Sequence, residues 1–129
     1  MPAMPTLKTV EMSGAALDWA VLIADGKKPV VTKAGIILND WHSSGFCRPS
    51  KDWNQCGCYI KKYRIMVSPS LDIQTERVLH WVAGFVTYIN RAYQVGWIGE
   101  TPEIAICRAV VGNLIGAEVD VPAELLEAA

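Results

Sequence analysis

Val78-Leu79-His80-Trp81-Val82-Ala83-Gly84-Phe85-Val86-Thr87-Tyr88 is the stretch whose reading decides the fold. β-Branched and aromatic residues dominate it, and such side chains favour an extended, half-buried backbone. Glu76-Arg77 gives it a polar lead-in. The run reads as a strand, with a helix as the competitor, because a short apolar run carries no decisive period. Just upstream, Tyr63, Ile65 and Val67 alternate as in a half-buried strand that ends at Pro69. Pro69-Ser70-Leu71-Asp72 then belongs to the turn that joins two antiparallel strands.

Further from this hairpin the helices emerge. Ser13 is a good N-cap for a helix from about Gly14 to Asp25, with Leu17, Val21 and Ala24 on one face and Ala20 beside it. Gly26 and Pro29 stop it. Thr101-Pro102-Glu103 supplies an N-cap, a proline at the first helical position and an acid in the first turn. That helix runs to about Ile115, with Ile104, Cys107, Val111, Leu114 and Ile115 as its apolar face and Gly116 as its end. Val30 to Thr32 and Ile36 to Leu38 read as one short strand or a bent pair around Gly35, and Tyr59 to Arg64 as a short helix or strand. Asn90 to Glu100 reads as a connection, and Val121 to Leu126 as a last helical turn whose leucines fold back on the core. The expected fold class is α+β: a small antiparallel sheet covered by an N-terminal and a C-terminal helix.

The chain of 129 residues has the size of one domain, 1–129. Its 51% hydrophobic and 19% charged residues are far from the balance that keeps chains unfolded. Twelve basic and thirteen acidic side chains leave a net charge of −1, so no global positive field gathers polyanions. Lys51, Lys61, Lys62 and Arg64 crowd one segment, which reads as a solvated face or, less simply, as a local nucleic-acid patch. No apolar run reaches the roughly 18 to 20 residues that cross a bilayer. Met1 to Lys8 shows no secretory pattern, so a cytoplasmic location with reduced Cys47, Cys56, Cys58 and Cys107 is expected.

Between these elements Asn39 to Gly57 turns to Asn, Asp, Ser, Gly, Pro and Trp, a long irregular stretch of the kind that often carries function. Asp40, Trp41, His42, Ser50, Asp52, Trp53, Asn54 and Gln55 mix rings with polar groups, as ligand pockets do. The plainer reading has Trp41 and Trp53 plugging the sheet while Ser50 and Asp52 satisfy turn amides. His42 with Cys47, Cys56 and Cys58 invites zinc, but Cys56-Gly57-Cys58 leaves one residue between thiols where structural sites leave two to four, so no metal is assigned. A cysteine nucleophile would need His42 or His80 nearby, and the spacing does not require it; His80 in an apolar run reads as half-buried structure. Glycine-rich phosphate loops, H-E-x-x-H and G-x-S-x-G are absent. Arg108 reads either as an exposed partner of Glu103 or as an anchor for Asp52.

Three blocks, in order, carry a resemblance. They are Ser13 to Val21 (SGAALDWAV), Pro49 to Gln55 (PSKDWNQ) followed by Gly57 and Ile60, and Thr101 to Ala105 with Arg108, running on to Gly116 to Pro122 and Glu124-Leu125. Together they resemble the NinX-like family of bacteriophage proteins. Cys56-Gly57-Cys58 stands where that family tends to have Gly-Gly-Pro. The resemblance implies a phage or prophage origin and an accessory role, which with the cytoplasmic expectation gives the host cytoplasm as location, and it brings no established activity, cofactor or catalytic residue. The functional expectation is a binding protein that takes a host protein or small molecule through Ser50, Asp52, Trp53, Gln55 and Arg108. The rivals are a small hydrolase or nucleotide-modifying enzyme and a nucleic-acid-binding module.

Overall fold

The computed structural model describes residues 4–38, 46–86 and 96–127. In chain order these form β1 (Thr6–Lys8), a 3-10 turn (Thr9–Glu11), α1 (Gly14–Ala24), β2 (Pro29–Val31) and β3 (Ile36–Leu38). There follow α2 (Trp53–Tyr63), β4 (Ile65–Leu71), β5 (Val78–Phe85), β6 (Trp97–Gly99), α3 (Pro102–Leu114), β7 (Glu118–Asp120) and α4 (Glu124–Glu127).

The deciding run is a strand from Val78 to Phe85, and its last residues, Thr87 and Tyr88, lie outside the described residues. β5 is the centre of an antiparallel sheet ordered β4-β5-β6, with Val67 opposite Ala83 and Trp81 opposite Gly99. Trp81, Ala83 and Phe85 take alternate positions, so they share one face, and all three pack in the core with Ile65, Val67 and Trp97 from the flanking strands. β4 does not stop at Pro69 but runs to Leu71, because it is an edge strand, where proline's missing amide is tolerated. The turn therefore lies beyond Leu71. Asp72 Oδ1 accepts from the Gln74 amide at 2.9 Å, the Asp72 amide donates to the Arg77 carbonyl at 2.8 Å, and Glu76 takes a φ of 60°.

Two further expectations change. Trp97–Gly99, read as part of a connection, is a strand paired to β5. Asn39 to Gly57 is not irregular to its end: from Trp53 it is helix, because the Asp52 carboxylate accepts from the Asn54 amide at 2.9 Å and caps it. Tyr63 closes that helix, Arg64 leaves it with a left-handed φ of 56°, and the strand alternation starts only at Ile65. The bent pair around Gly35 is a hairpin, β2 against β3, with Val30 opposite Ile37. β1 pairs with β7, a strand pair that the sequence reading did not anticipate.

α3 starts as its sequence dictates, Thr101 Oγ1 accepting from the Ile104 amide at 3.1 Å. Its buried residues, Ala105, Ile106, Cys107, Ala109, Val110 and Val111, are not one stripe. They occupy much of its circumference, as in a helix enclosed by the molecule. α3 lies against β4, β5 and β6, and α1 and α2 pack on it in turn. Leu114 and Ile115, read as part of its apolar face, are 44% and 41% exposed. Gly112 is where the ring of Trp97 meets this helix: a Cβ there would lie 2.0 Å from Trp97 Cζ2. In α1, Leu17, Ala20 and Val21 are wholly buried as the helical spacing predicts, while the Ser13 side chain makes no capping hydrogen bond.

Candidate functional site

A hollow of about 840 Å³ opens between the first turns of α1, the β2–β3 hairpin, residues 46–48 and 51, and α4. Its walls include Gly14, Ala15 and Asp18 of α1, Val31 to Ile36 of the hairpin, and Glu124 and Leu125 of α4. The size falls within the roughly 300 to 1,000 Å³ of small-molecule pockets.

The wall at 46–48 is pinned from both sides. The Cys47 amide donates to the Ile36 carbonyl at 2.7 Å, which ties this segment to β3. From α2, Gln55 Oε1 accepts from the Arg48 amide at 2.7 Å and Gln55 Nε2 donates to the Phe46 carbonyl at 3.0 Å. The Arg48 carbonyl in turn accepts from the amides of Lys51 and Asp52 at 3.0 and 2.9 Å. Gly35, at a φ of 155°, lets the Phe46 ring lie over the hairpin turn, since a Cβ there would come within 2.9 Å of Phe46 Cδ1. The backbone bearing Arg48 and Lys51 is thus held at the mouth of the hollow, and Lys33 lines it from the turn.

Asp18 is the buried acid of this site, 4% exposed. Its Oδ1 accepts from the Ser50 amide at 2.8 Å. The Ser50 hydroxyl stands close enough to steady the carboxylate, yet it is enclosed and completes no hydrogen bond of ordinary geometry. Burial pushes the Asp18 carboxyl above its ordinary value, against the opposing pull of the Ser50 contacts, Lys51 and Arg48. Neither cation forms an ion pair with it: both ion pairs found among the described residues belong to Asp25, with Lys27 and Lys62. The result is a buried acceptor at the wall of a hollow whose rim carries the exposed cations Lys33, Arg48 and Lys51.

Of the residues singled out from sequence, Ser50 lies against Asp18, Asp52 caps α2 and Gln55 holds the wall. Trp53 is the first residue of α2, half-exposed, and does not line the hollow. Arg108 is elsewhere: its Nε donates to the Met12 carbonyl at 2.9 Å and its Nη1 to the Ile98 carbonyl at 2.8 Å. Burial draws its guanidinium below the ordinary value, against the pull of Glu100. Asp40, Trp41 and His42 lie outside the described residues. Cys56, Cys58 and Cys107 form no disulfide; Cys58 is exposed, and no group of three or more metal-ligating side chains gathers among the described residues. No helix among these residues is long and apolar enough to cross a membrane.

Sequence reasoning missed Asp18, Arg48 and Lys33. Asp18 left a usable signal. Three residues before Val21 and four before Leu22, it sits on the side of α1 that the apolar spacing buries, where an acid requires a partner. Arg48 and Lys33 left none, because lone surface cations are ordinary.

Residues 8–113 match the family described as Bacteriophage P22, NinX. No curated protein matches the chain.

Proposed function

We propose that this chain, which belongs to the NinX family of bacteriophage proteins, is a phage accessory protein that binds a small polar molecule in the hollow beside the β2–β3 hairpin. The observation that carries this reading is one open volume of about 840 Å³ bordered by a buried carboxylate and three basic side chains. Rigid walls favour binding, because a preorganised site loses little freedom when it fills. In this reading Asp18, Lys33, Arg48 and Lys51 meet the ligand, while Ser50, Asp52 and Gln55 set their positions. Trp53 stands outside the contact set and Arg108 supports the scaffold. The protein acts in the host cytoplasm, as a binder rather than a catalyst.

The test is thermal stabilisation of the full chain by a panel of nucleotides, amino acids and sugar phosphates. A ligand at about 100 times its dissociation constant adds about 2.7 kcal/mol of stability. Arg48→Ala with Lys51→Ala should abolish the gain, and Trp53→Ala should leave it. If no panel member stabilises the protein, the hollow is not a binding site. Chemical change of a stabilising compound during incubation would instead favour the enzyme reading.

A second reading, a host-protein partner, draws on the far end of the β4–β5 hairpin, where Leu71, Val78 and Leu79 are about half-exposed or more and Ile73 is 96% exposed. Loss of a captured host protein on Ile73→Ser with Leu79→Ser would support it.

A further inference from the structure

Asp18 and the rim cations make opposite demands on any one occupant. The Asp18 carboxylate has roughly four lone-pair sites. The Ser50 amide takes one, and the Ser50 hydroxyl completes none. A buried acceptor of this kind is stabilised by hydrogen-bond donors, and paired N–H groups match the two oxygens of a carboxylate. Glu124 of α4 borders the same hollow, and of the cations at its rim Lys51 and Arg48 reach Asp18 through space rather than by contact. Exposed guanidinium and ammonium groups at the mouth of a hollow attract a phosphate or carboxylate, and arginine does so with a two-pronged geometry. One molecule satisfies both only if it carries an anionic group at one end and N–H donors at the other.

Size separates the classes that fit. A free amino acid would fill a small part of about 840 Å³ and would place its ammonium and carboxylate on neighbouring atoms. A nucleotide sets base and phosphate apart across a sugar, and a guanine base offers a ring N–H and an exocyclic amino group side by side, the pattern that a carboxylate accepts. Resting on the small-molecule reading above, the geometry points to a nucleoside monophosphate as the ligand, its phosphate against Arg48, Lys51 and Lys33 and the N–H edge of its base against Asp18.

Calorimetric titration of the full chain with guanosine monophosphate, inosine monophosphate, inorganic phosphate and L-glutamate tests this. Guanosine monophosphate should bind at least tenfold more tightly than phosphate, and severalfold more tightly than inosine monophosphate, which lacks the exocyclic amino group. Those two ratios need no variant. Asp18→Asn should weaken guanosine monophosphate at least tenfold and leave inorganic phosphate unchanged or tighter, since it removes a negative charge beside the anion. A merely structural role for Asp18 would weaken both together. Lys33→Ala, on an exposed turn, should weaken both ligands. The inference fails if guanosine monophosphate binds no better than phosphate, or if Asp18→Asn leaves it unaffected; the hollow would then be a plain anion site. It fails equally if L-glutamate is preferred. Failure of the wider panel to stabilise the protein would remove the small-molecule reading itself.

Discussion

At Asp18 the proposed site and the stability of the protein work against each other. Its carboxyl titrates above the ordinary 3.8 because burial disfavours the charge. The native state therefore holds this proton more firmly than the unfolded chain does. The stabilisation is full below 3.8 and is lost as pH rises through the native value. Asp18→Asn keeps an oxygen for the Ser50 amide and brings an amide donor towards the unpartnered Ser50 hydroxyl. The variant should match or exceed the parent in stability at pH 7 and lose that advantage as pH falls towards 4, read from urea midpoints across that range. An advantage of the parent at pH 7 would mean that the ionised acid is held by a partner. Gly112 is the opposite case, a residue fixed by space alone. Gly112→Ala drives a methyl into the Trp97 ring and should cost about 1 to 3 kcal/mol, with a shift in tryptophan fluorescence as the ring is displaced.

Between elements, Asp25 is the main electrostatic tie. It follows α1 and accepts from Lys27 at 2.7 Å, from Lys62 of α2 at 2.6 Å and from the Tyr63 hydroxyl. Its side chain is only 2% exposed, yet the groups covering it are themselves at the surface, so the carboxylate is enclosed without being deep. Burial pushes it up, and the donated hydrogen bonds from Lys27, Lys62 and Tyr63 outweigh that and leave it below 3.8. A carboxyl lowered in the native state stabilises above its unfolded value and loses that contribution as pH falls through the native one. Asp25→Asn should thus destabilise at pH 7, lose that deficit as pH falls from 3.8, and converge with the parent only below the lowered native value, a trend opposite to that of Asp18→Asn. Tyr63 extends the tie into the sheet by stacking on Phe85 at 5.4 Å. Little of this was legible in the sequence. α1 and α3 were, through Leu17 and Val21 at helical spacing and the Thr101-Pro102 start, and so was β5, through its β-branched and aromatic run. α2 was hidden because Asn54, Gly57 and two cysteines have weak helix preference, and what makes the helix is the Asp52 cap with packing of Cys56 and Tyr59 against the rest. The site was half legible: Ser50, Asp52 and Gln55 fall in the polar stretch, and the spacing of α1 marks Asp18 as buried, but that Ser50 and Asp18 meet is a long-range pairing that no local pattern encodes.

Across the molecule, the three small sheets found among the described residues hold few residues each, so α3 and the segments beside the chain ends must join them. A two-stranded pair is marginal in water on its own. β1 and β7 are such a pair, and the bonds around them anchor it to the core side of the molecule. The Thr9 amide donates to the Ala117 carbonyl at 2.8 Å, Thr9 Oγ1 donates to the Gly116 carbonyl at 2.7 Å, and the Val121 amide donates to the Pro5 carbonyl at 3.0 Å. Arg108 adds a clamp from the middle of α3, joining Met12 near α1 to Ile98 of β6. Thr9 is wholly buried, so its hydroxyl has no water to fall back on. Thr9→Val keeps the shape and removes the donor, leaving the Gly116 carbonyl short of a partner at a cost of about 1 to 3 kcal/mol. If the ends belong to the same cooperative unit as α3, this loss at one edge lowers the unfolding midpoint of the entire chain. Far-UV dichroism and tryptophan fluorescence should then give coincident transitions in parent and variant alike, displaced together to lower urea. An early transition confined to one probe in the Thr9→Val protein would show instead that the β1–β7 pair opens independently, and that α3 with the β4-β5-β6 sheet folds without it.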